Sequence, residues 1–83
     1  MSELSKSQIQ KLKKTIPEKV GQRIKAIRNK LTISQTELGL RVGKDRQYVY
    51  KIEKGKVTPN ITTVMILLIA LDISASVFFK DLD

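Results

Sequence analysis

The side chains of this 83-residue chain that could take part in chemistry are mostly cationic. Sixteen Lys and Arg residues stand against eight Asp and Glu residues, which gives a formal net charge of +8 at pH 7. Such an excess is typical of proteins that bind a polyanion, although many small proteins are basic for solubility alone. The charge therefore raises the possibility of a nucleic-acid partner without deciding it.

The side chains on which most enzymes depend are missing from the sequence. The chain contains no histidine and no cysteine, which removes the usual general base, the commonest metal ligand and any thiolate or disulfide. Glu37 and Asp45 stand at positions typical of helix capping, so no nucleophile and base remain to form a catalytic set. We therefore expect no enzymatic activity, no metal, no other cofactor and no small-molecule ligand.

Residues 1–15 are rich in Ser, Lys and Gln and are interpreted as a basic N-terminal arm. Within and just after this arm, Ile9, Leu12 and Ile16 follow a helical spacing, which is its only sign of order. We expect the arm to be at most partly helical. The remaining residues, 16–83, are predicted to form one DNA-binding domain, because a chain of this length holds a single modest core.

The first helix of that domain is predicted from a capping signal. The Thr-Ile-Pro-Glu run at 15–18 has the spacing of a capping box, and a proline in the first turn of a helix costs no hydrogen bond. An apolar stripe follows at steps of three and four residues, formed by Val20, Ile24, Ile27 and Leu31. Helix 1 is therefore expected to begin near this run and to end near Lys30.

Two short helices joined by a tight turn come next. Residues 34–37 form a second capping box, which predicts helix 2 over about 35–42. Gly43 stands where a helix ends in a left-handed residue, and Asp45 is a good N-cap for helix 3, predicted over about 46–54. Because so short a linker makes the two helices cross steeply, their contact needs a small residue, which Gly39 supplies.

Two further helices complete the predicted fold. Helix 4 is expected over roughly 61–71, and Ser74 is expected to cap a short fifth helix. In that helix Phe78 and Phe79 supply most of the aromatic bulk. Since no sustained alternating strand pattern is present, the sequence predicts an all-α protein, a compact bundle of five short helices.

Two segments resemble a known family. They are Ser-Gln-Thr-Glu-Leu-Gly-Leu-Arg-Val-Gly at 34–43 and Asp-Arg-Gln-Tyr-Val-Tyr-Lys-Ile-Glu-Lys-Gly at 45–55. Both are similar to the phage repressor and Cro family of Xre-type helix-turn-helix regulators, and the similarity extends over about 20–79. Lys44 departs from the family pattern, in which an apolar residue is common. The resemblance implies a lambda-repressor-like DNA-binding domain, and the string at 45–48 is similar to that of controller proteins from restriction-modification systems.

The resemblance also implies which side chains would contact DNA bases. In this family helix 3 lies in the major groove, where its first turn and outward face reach the base edges. The corresponding residues are Arg46, Gln47, Tyr48, Tyr50 and Lys51. Arginine pairs with guanine, glutamine with adenine and lysine with guanine acceptors, so this chemistry suits base recognition. The alternative is that these residues are only a solvated helix face.

Phosphate contacts and a structural ion pair follow from the same resemblance. Gln35 is similar to the family glutamine that binds a phosphate. Weaker candidates for phosphate contact are Ser34, Lys54, Lys56 and Thr58. Arg28 and Glu53 resemble an ion pair that ties helix 1 to the end of helix 3 in some family members, so a structural role is expected for both.

Helix 4 is apolar nearly all round, which is unusual for a surface helix of a small monomer. The excess favours a homodimer, with an interface formed by Ile66, Ile69, Ile73 and Val77. The alternative is that the N-terminal arm folds back and covers these residues. A twofold dimer sets its two reading helices about 34 Å apart, which fits a palindromic operator.

Three functions are compatible with these features. The leading one is a sequence-specific transcriptional regulator, a repressor or autoregulator that binds double-stranded DNA. The second is an antitoxin or adaptor that holds a protein partner through helix 4. The third is an architectural or RNA-binding protein with a nonspecific arm, formed by Lys6, Lys11, Lys13 and Lys14. The longest apolar run, 64–71, falls short of the roughly 20 residues that span a bilayer, and no secretory signal is visible, so we expect a cytoplasmic protein.

Overall fold

Five α-helices build the part of the chain that the computed structural model describes, which is residues 3–80 and Leu82. Their bounds are α1 Lys6–Lys30, α2 Gln35–Arg41, α3 Arg46–Glu53, α4 Ile61–Ala70 and α5 Ala75–Lys80. These described residues contain no strand, and the predicted all-α bundle is confirmed. None of their helices combines the length and the apolar character needed to cross a membrane.

The short helices begin and end where local signals predicted. The N-cap side chains of α2 to α5 each accept a hydrogen bond from a backbone N–H three residues on, and they are Ser34, Asp45, Asn60 and Ser74. Gly43 and Gly55 follow α2 and α3 with φ values of 71° and 70°. This left-handed conformation carries no steric penalty for glycine, which explains why both helices stop there.

The start of α1 differs from the prediction. The helix begins at Lys6, after a capping box in which the Ser5 hydroxyl accepts from the Gln8 N–H at 3.1 Å and Gln8 Oε1 accepts from the Ser5 N–H at 2.7 Å. The box predicted at Thr15 is wrong, because the helix is continuous through it and through Pro17. The proline removes only one backbone donor, and its ring is buried. Whether residues 1–15 act as an arm separate from the domain at 16–83 stays a prediction.

One hydrophobic core lies between the five helices. Each helix contributes at least one side chain to it, and the most deeply buried are Ile24, Leu38, Leu68 and Phe78. The two phenylalanines of α5 differ, because Phe78 is fully buried while Phe79 is partly exposed. Their rings meet edge to face, with centroids 5.0 Å apart. The core therefore holds α3 firmly enough to present its other face outward.

Two glycines let helix backbones approach each other closely. A Cβ atom at Gly39 would lie 2.6 Å from the carbonyl oxygen of Asp45, so the small residue predicted at the crossing of α2 and α3 is required there. A Cβ atom at Gly21 of α1 would collide with the carbonyl oxygen of Ile52 and would lie 2.8 Å from that of Glu53. Gly21 therefore sets the distance between α1 and the end of α3.

Candidate nucleic-acid interface

Helix α3 has one buried face and one exposed face. Val49, Ile52 and Glu53 point into the protein. Arg46, Gln47 and Lys51 are exposed, and the 3.6-residue period of the helix explains this division. The structure thus brings three hydrogen-bonding side chains of the predicted base-contact set together on the outer surface of one helix.

The two tyrosines of α3 are half-buried. Tyr48 packs against the core, and the Lys44 ammonium lies 5.4 Å from the centroid of its ring. Tyr50 has two ammonium groups near its ring, from Lys54 at 5.9 Å and from Lys56 at 5.3 Å. Cations at these distances are attracted by the negative face of an aromatic ring. Lys54 and Lys56 therefore place two positive charges beside Tyr50, at the end of α3.

A buried ion pair ties α3 to α1. Arg28 donates from Nε to Glu53 Oε2 at 2.6 Å and from a terminal nitrogen to Glu53 Oε1 at 3.0 Å. A second terminal nitrogen of Arg28 donates to the carbonyl oxygen of Ile33 at 2.8 Å. This two-pronged arrangement is the geometry in which arginine and a carboxylate interact most strongly. The pair fixes the orientation of α3 relative to α1.

Gln35 joins the same network. Its Nε2 donates to Glu53 Oε1 at 3.0 Å, so the start of α2 is linked to the end of α3. The family resemblance implies only a phosphate contact for this glutamine and does not indicate its bond to Glu53. No sequence signal reveals this bond, because the two residues lie far apart in the chain and meet only after α2 and α3 pack.

A polar cleft of about 500 Å³ adjoins this network. It lies between α1, the start of α2 and one side of α3. Of the predicted site residues, Gln35, Arg46, Tyr50, Glu53 and Lys54 line it. Sequence reasoning missed Gln22 and Lys25 of α1, which also line the cleft. Their helical spacing from Glu18, four and seven residues on, could have placed them on one face.

The remaining phosphate candidates lie around the helix-turn-helix. Ser34, Lys54, Lys56 and Thr58 are exposed, and Gln35 is half-buried. Ser34 uses its oxygen as an acceptor in the cap of α2, which leaves its hydroxyl hydrogen free to donate. All five therefore present a donor that a phosphate oxygen could accept.

The predicted dimer residues lie on α4 and on the segment that follows it. Ile66, Ile69 and Val77 are exposed, with Ile69 at 73%, whereas Ile73 is half-buried against the core. The alternative, in which the N-terminal arm covers this patch, is wrong for the described residues, because Ile66 keeps 48% of its surface exposed and Ile69 even more. The first part of α1 instead adjoins Thr58, Phe79 and Leu82.

Known proteins with a similar sequence or a similar structure identify the family of this chain. A helix-turn-helix family model matches residues 24–78, which is more than half of the chain. No match was found among curated proteins. Among solved structures, the chain is similar to the restriction-modification controller protein C.Esp1396I, whose tetramer was crystallised in complex with its natural 35 base-pair operator. The sequence identity is 30%, the TM-score is 0.75, and the match covers 81% of this chain and 88% of that one. The chain therefore belongs to the Xre-like helix-turn-helix family of sequence-specific DNA-binding transcriptional regulators.

Proposed function

We propose that the protein is a repressor or autoregulator that binds a palindromic operator as a homodimer, with α3 of each protomer in the major groove. The observation that carries this proposal is the outer face of α3. There Arg46, Gln47 and Lys51 are exposed on a helix whose other face is buried and tied to α1 by an ion pair. Side chains held on a rigid helix read base edges without a large loss of conformational freedom.

Each side chain of this face has a distinct role in the proposal. Arg46 donates to O6 and N7 of a guanine, Gln47 exchanges hydrogen bonds with an adenine, and Lys51 donates to guanine acceptors. Tyr48 and Tyr50 contribute only their outer edges, because both rings are half-buried. We expect these two tyrosines to make apolar or hydroxyl contacts that support the other three.

Phosphate contacts fix the register of the reading helix. Gln35 has two amide hydrogens, and its bond to Glu53 uses one of them, so the other can donate to a phosphate. The bond to Glu53 also orients the amide before DNA arrives. Ser34, Lys54, Lys56 and Thr58 extend these contacts along the backbone, which carries no sequence information itself.

The dimer contact in this proposal is the patch formed by Ile66, Ile69, Ile73 and Val77. Apolar side chains that remain exposed on a folded domain favour association. The similarity to C.Esp1396I, an oligomer on operator DNA, supports this. It also supports a narrower role as a controller protein. We expect such a protein to act in the cytoplasm, with no catalytic step of its own.

The experiment that tests this function is selection of binding sites from a random duplex pool at near-physiological salt, with the solution mass recorded alongside. We expect an inverted repeat to be enriched. Gln47→Ala should weaken binding to the selected site by roughly 5- to 150-fold, since one lost base contact costs about 1–3 kcal/mol. Gln10→Ala is the matched control, because it makes the same change at an exposed residue of α1 that is outside the predicted contact set.

Other outcomes point to other functions. Salt-sensitive binding without an enriched sequence would favour an architectural protein. The absence of any duplex binding, together with loss of a protein partner on substitution of Ile69, would favour an antitoxin or adaptor. Either result would contradict the proposed regulator.

A further inference from the structure

An apolar row on the first half of α1 stays exposed. It consists of Leu4, just before the helix, and of Ile9, Leu12 and Ile16 within it, and we call these four residues the α1 stripe. Their exposed fractions are 39% to 51%. The stripe lies outside residues 24–78, which carry the family match. A contiguous apolar row on a well-capped helix is typical of a surface that another molecule covers.

Two grooves flank the α1 stripe. One, of about 530 Å³, runs along Leu4 and Ile9 and is bounded by Pro17 and Thr58. The other, of about 340 Å³, is bounded by Phe79 and Leu82. Both grooves share Leu12 and Ile16, which therefore form a ridge between them. A surface with a ridge between two grooves is one on which a second helix can pack, with its own ridges in the grooves.

The charged side chains that line the two grooves are all positive. Among the described residues, the charged side chains that line the two grooves are Lys13 in one and Lys19 in the other. The helical period also places Lys6 beside Lys13 on the same edge of the α1 stripe. An occupant must therefore combine an apolar face with acidic side chains at its edges.

An apolar ridge with lysines at its edges fits some possible occupants better than others. A second copy of the α1 stripe would bring the lysines of both chains together in a contact of low dielectric constant. A membrane surface fits poorly, because the grooves are walled by Thr58, Phe79 and Leu82, whereas a helix that lies on lipid needs an open apolar face. We propose that the α1 stripe is a docking site for an acidic amphipathic helix of another protein.

A helix docked on the α1 stripe leaves the polar cleft beside α3 open. Glu18, Gln22 and Lys25 line that cleft from α1, and at 100° per residue Lys25 lies on the opposite side of the helix from Ile16. An occupant of the α1 stripe and an operator therefore approach α1 from opposite sides. The inference holds whether or not the proposed operator function is correct, because it rests on a different face of the molecule.

The probe is a labelled synthetic helix with leucines on one face and glutamates elsewhere, titrated with the full chain in the presence of saturating duplex DNA. We expect binding that weakens at least about tenfold in the Leu12→Ser/Ile16→Ser variant. A Lys13→Glu/Lys19→Glu variant keeps the apolar ridge and should weaken binding by a similar factor. The matched control is Lys11→Glu/Lys14→Glu, which makes the same charge change on the other side of α1 and should alter binding less than about threefold.

Several results would overturn the docking site. Two altered peptides test the need for both an apolar face and acidic edges. One has the same residues as the probe in scrambled order, and the other has lysines in place of the glutamates. If either binds as tightly as the probe, the proposal is contradicted. Absence of binding up to about 1 mM would do the same.

A solution mass that falls on Leu12→Ser/Ile16→Ser would identify a second copy as the occupant instead. Capture of the protein by phosphatidylserine vesicles, but not by the peptide, would identify a membrane. Circular dichroism of each variant checks that it is folded.

Discussion

At the scale of single residues, Glu53 connects α3 to the helices around it. Its carboxylate accepts from both Arg28 and Gln35, and so links the three helices that surround the polar cleft. The carboxylate and the guanidinium are both buried, so each depends on the other for the hydrogen bonds that water would otherwise supply. An exposed pair of similar chemistry, Glu37 with Arg41 at 3.1 Å, provides the natural comparison.

We expect Glu53→Ala to lower the free energy of unfolding by about 3–5 kcal/mol, because it leaves the buried guanidinium of Arg28 without its carboxylate. Glu37→Ala should cost less than about 1 kcal/mol, since its pair with Arg41 is exposed to solvent. Urea unfolding followed by circular dichroism measures both. Similar losses in the two variants would mean that burial adds nothing to the Arg28–Glu53 pair.

At the scale of elements, the contact between α1 and α3 depends on the absence of a side chain at Gly21. We expect Gly21→Ala to destabilise the protein by about 1–3 kcal/mol although alanine favours a helix, because its Cβ atom would push the two backbones apart. Gln10→Ala, an exposed change in the same helix, should be neutral or slightly stabilising. The free energy of unfolding of both variants is measured by chemical denaturation. An unchanged value for Gly21→Ala would contradict the close approach of Gly21 to the backbone of α3.

The start of α1 offers a second test at this scale. We expect Ser5→Ala to speed amide hydrogen exchange in the first turns of α1, because it removes an N-cap bond worth about 1 kcal/mol. Thr15→Ala should have no such effect, since Thr15 lies inside the helix. If instead Thr15→Ala frays the chain and Ser5→Ala does not, the helix starts at the later position.

At the scale of the whole molecule, the proposed function requires two copies of α3 at a set separation. The patch on α4 and α5 is apolar, whereas the cleft beside α3 is polar, so the two surfaces suit different partners. Self-association through the apolar patch leaves α3 available for DNA.

We expect Ile69→Lys to convert the dimer into a monomer, because it places a charge in the middle of an apolar contact. Sedimentation equilibrium should give half the mass, and affinity for a palindromic site should fall while the free energy of unfolding of the isolated domain stays unchanged. Ile9→Lys is the control, as Ile9 is exposed on the α1 stripe and lies outside the dimer patch. An unchanged mass for Ile69→Lys would place the dimer contact elsewhere.

Local rules in the sequence determined most of the element boundaries. Asp45 and Ser34 cap helices because their short side chains reach a backbone N–H three residues on, and Gly43 ends α2 because a left-handed residue suits glycine. The outward face of α3 follows from the helical period. The resemblance to the helix-turn-helix family then implies which residues of that helix are the candidate base contacts. Their contact with DNA remains a prediction.

Only the tertiary structure decided the rest. The full length of α1 is not predicted by the sequence, because Pro17 suits the first turn of a helix better than its interior. In the structure α1 continues through Pro17, whose side chain is buried. The bond from Gln35 to Glu53 and the approach of Gly21 to Ile52 join residues far apart in sequence. Such contacts depend on how helices pack, which no local pattern encodes.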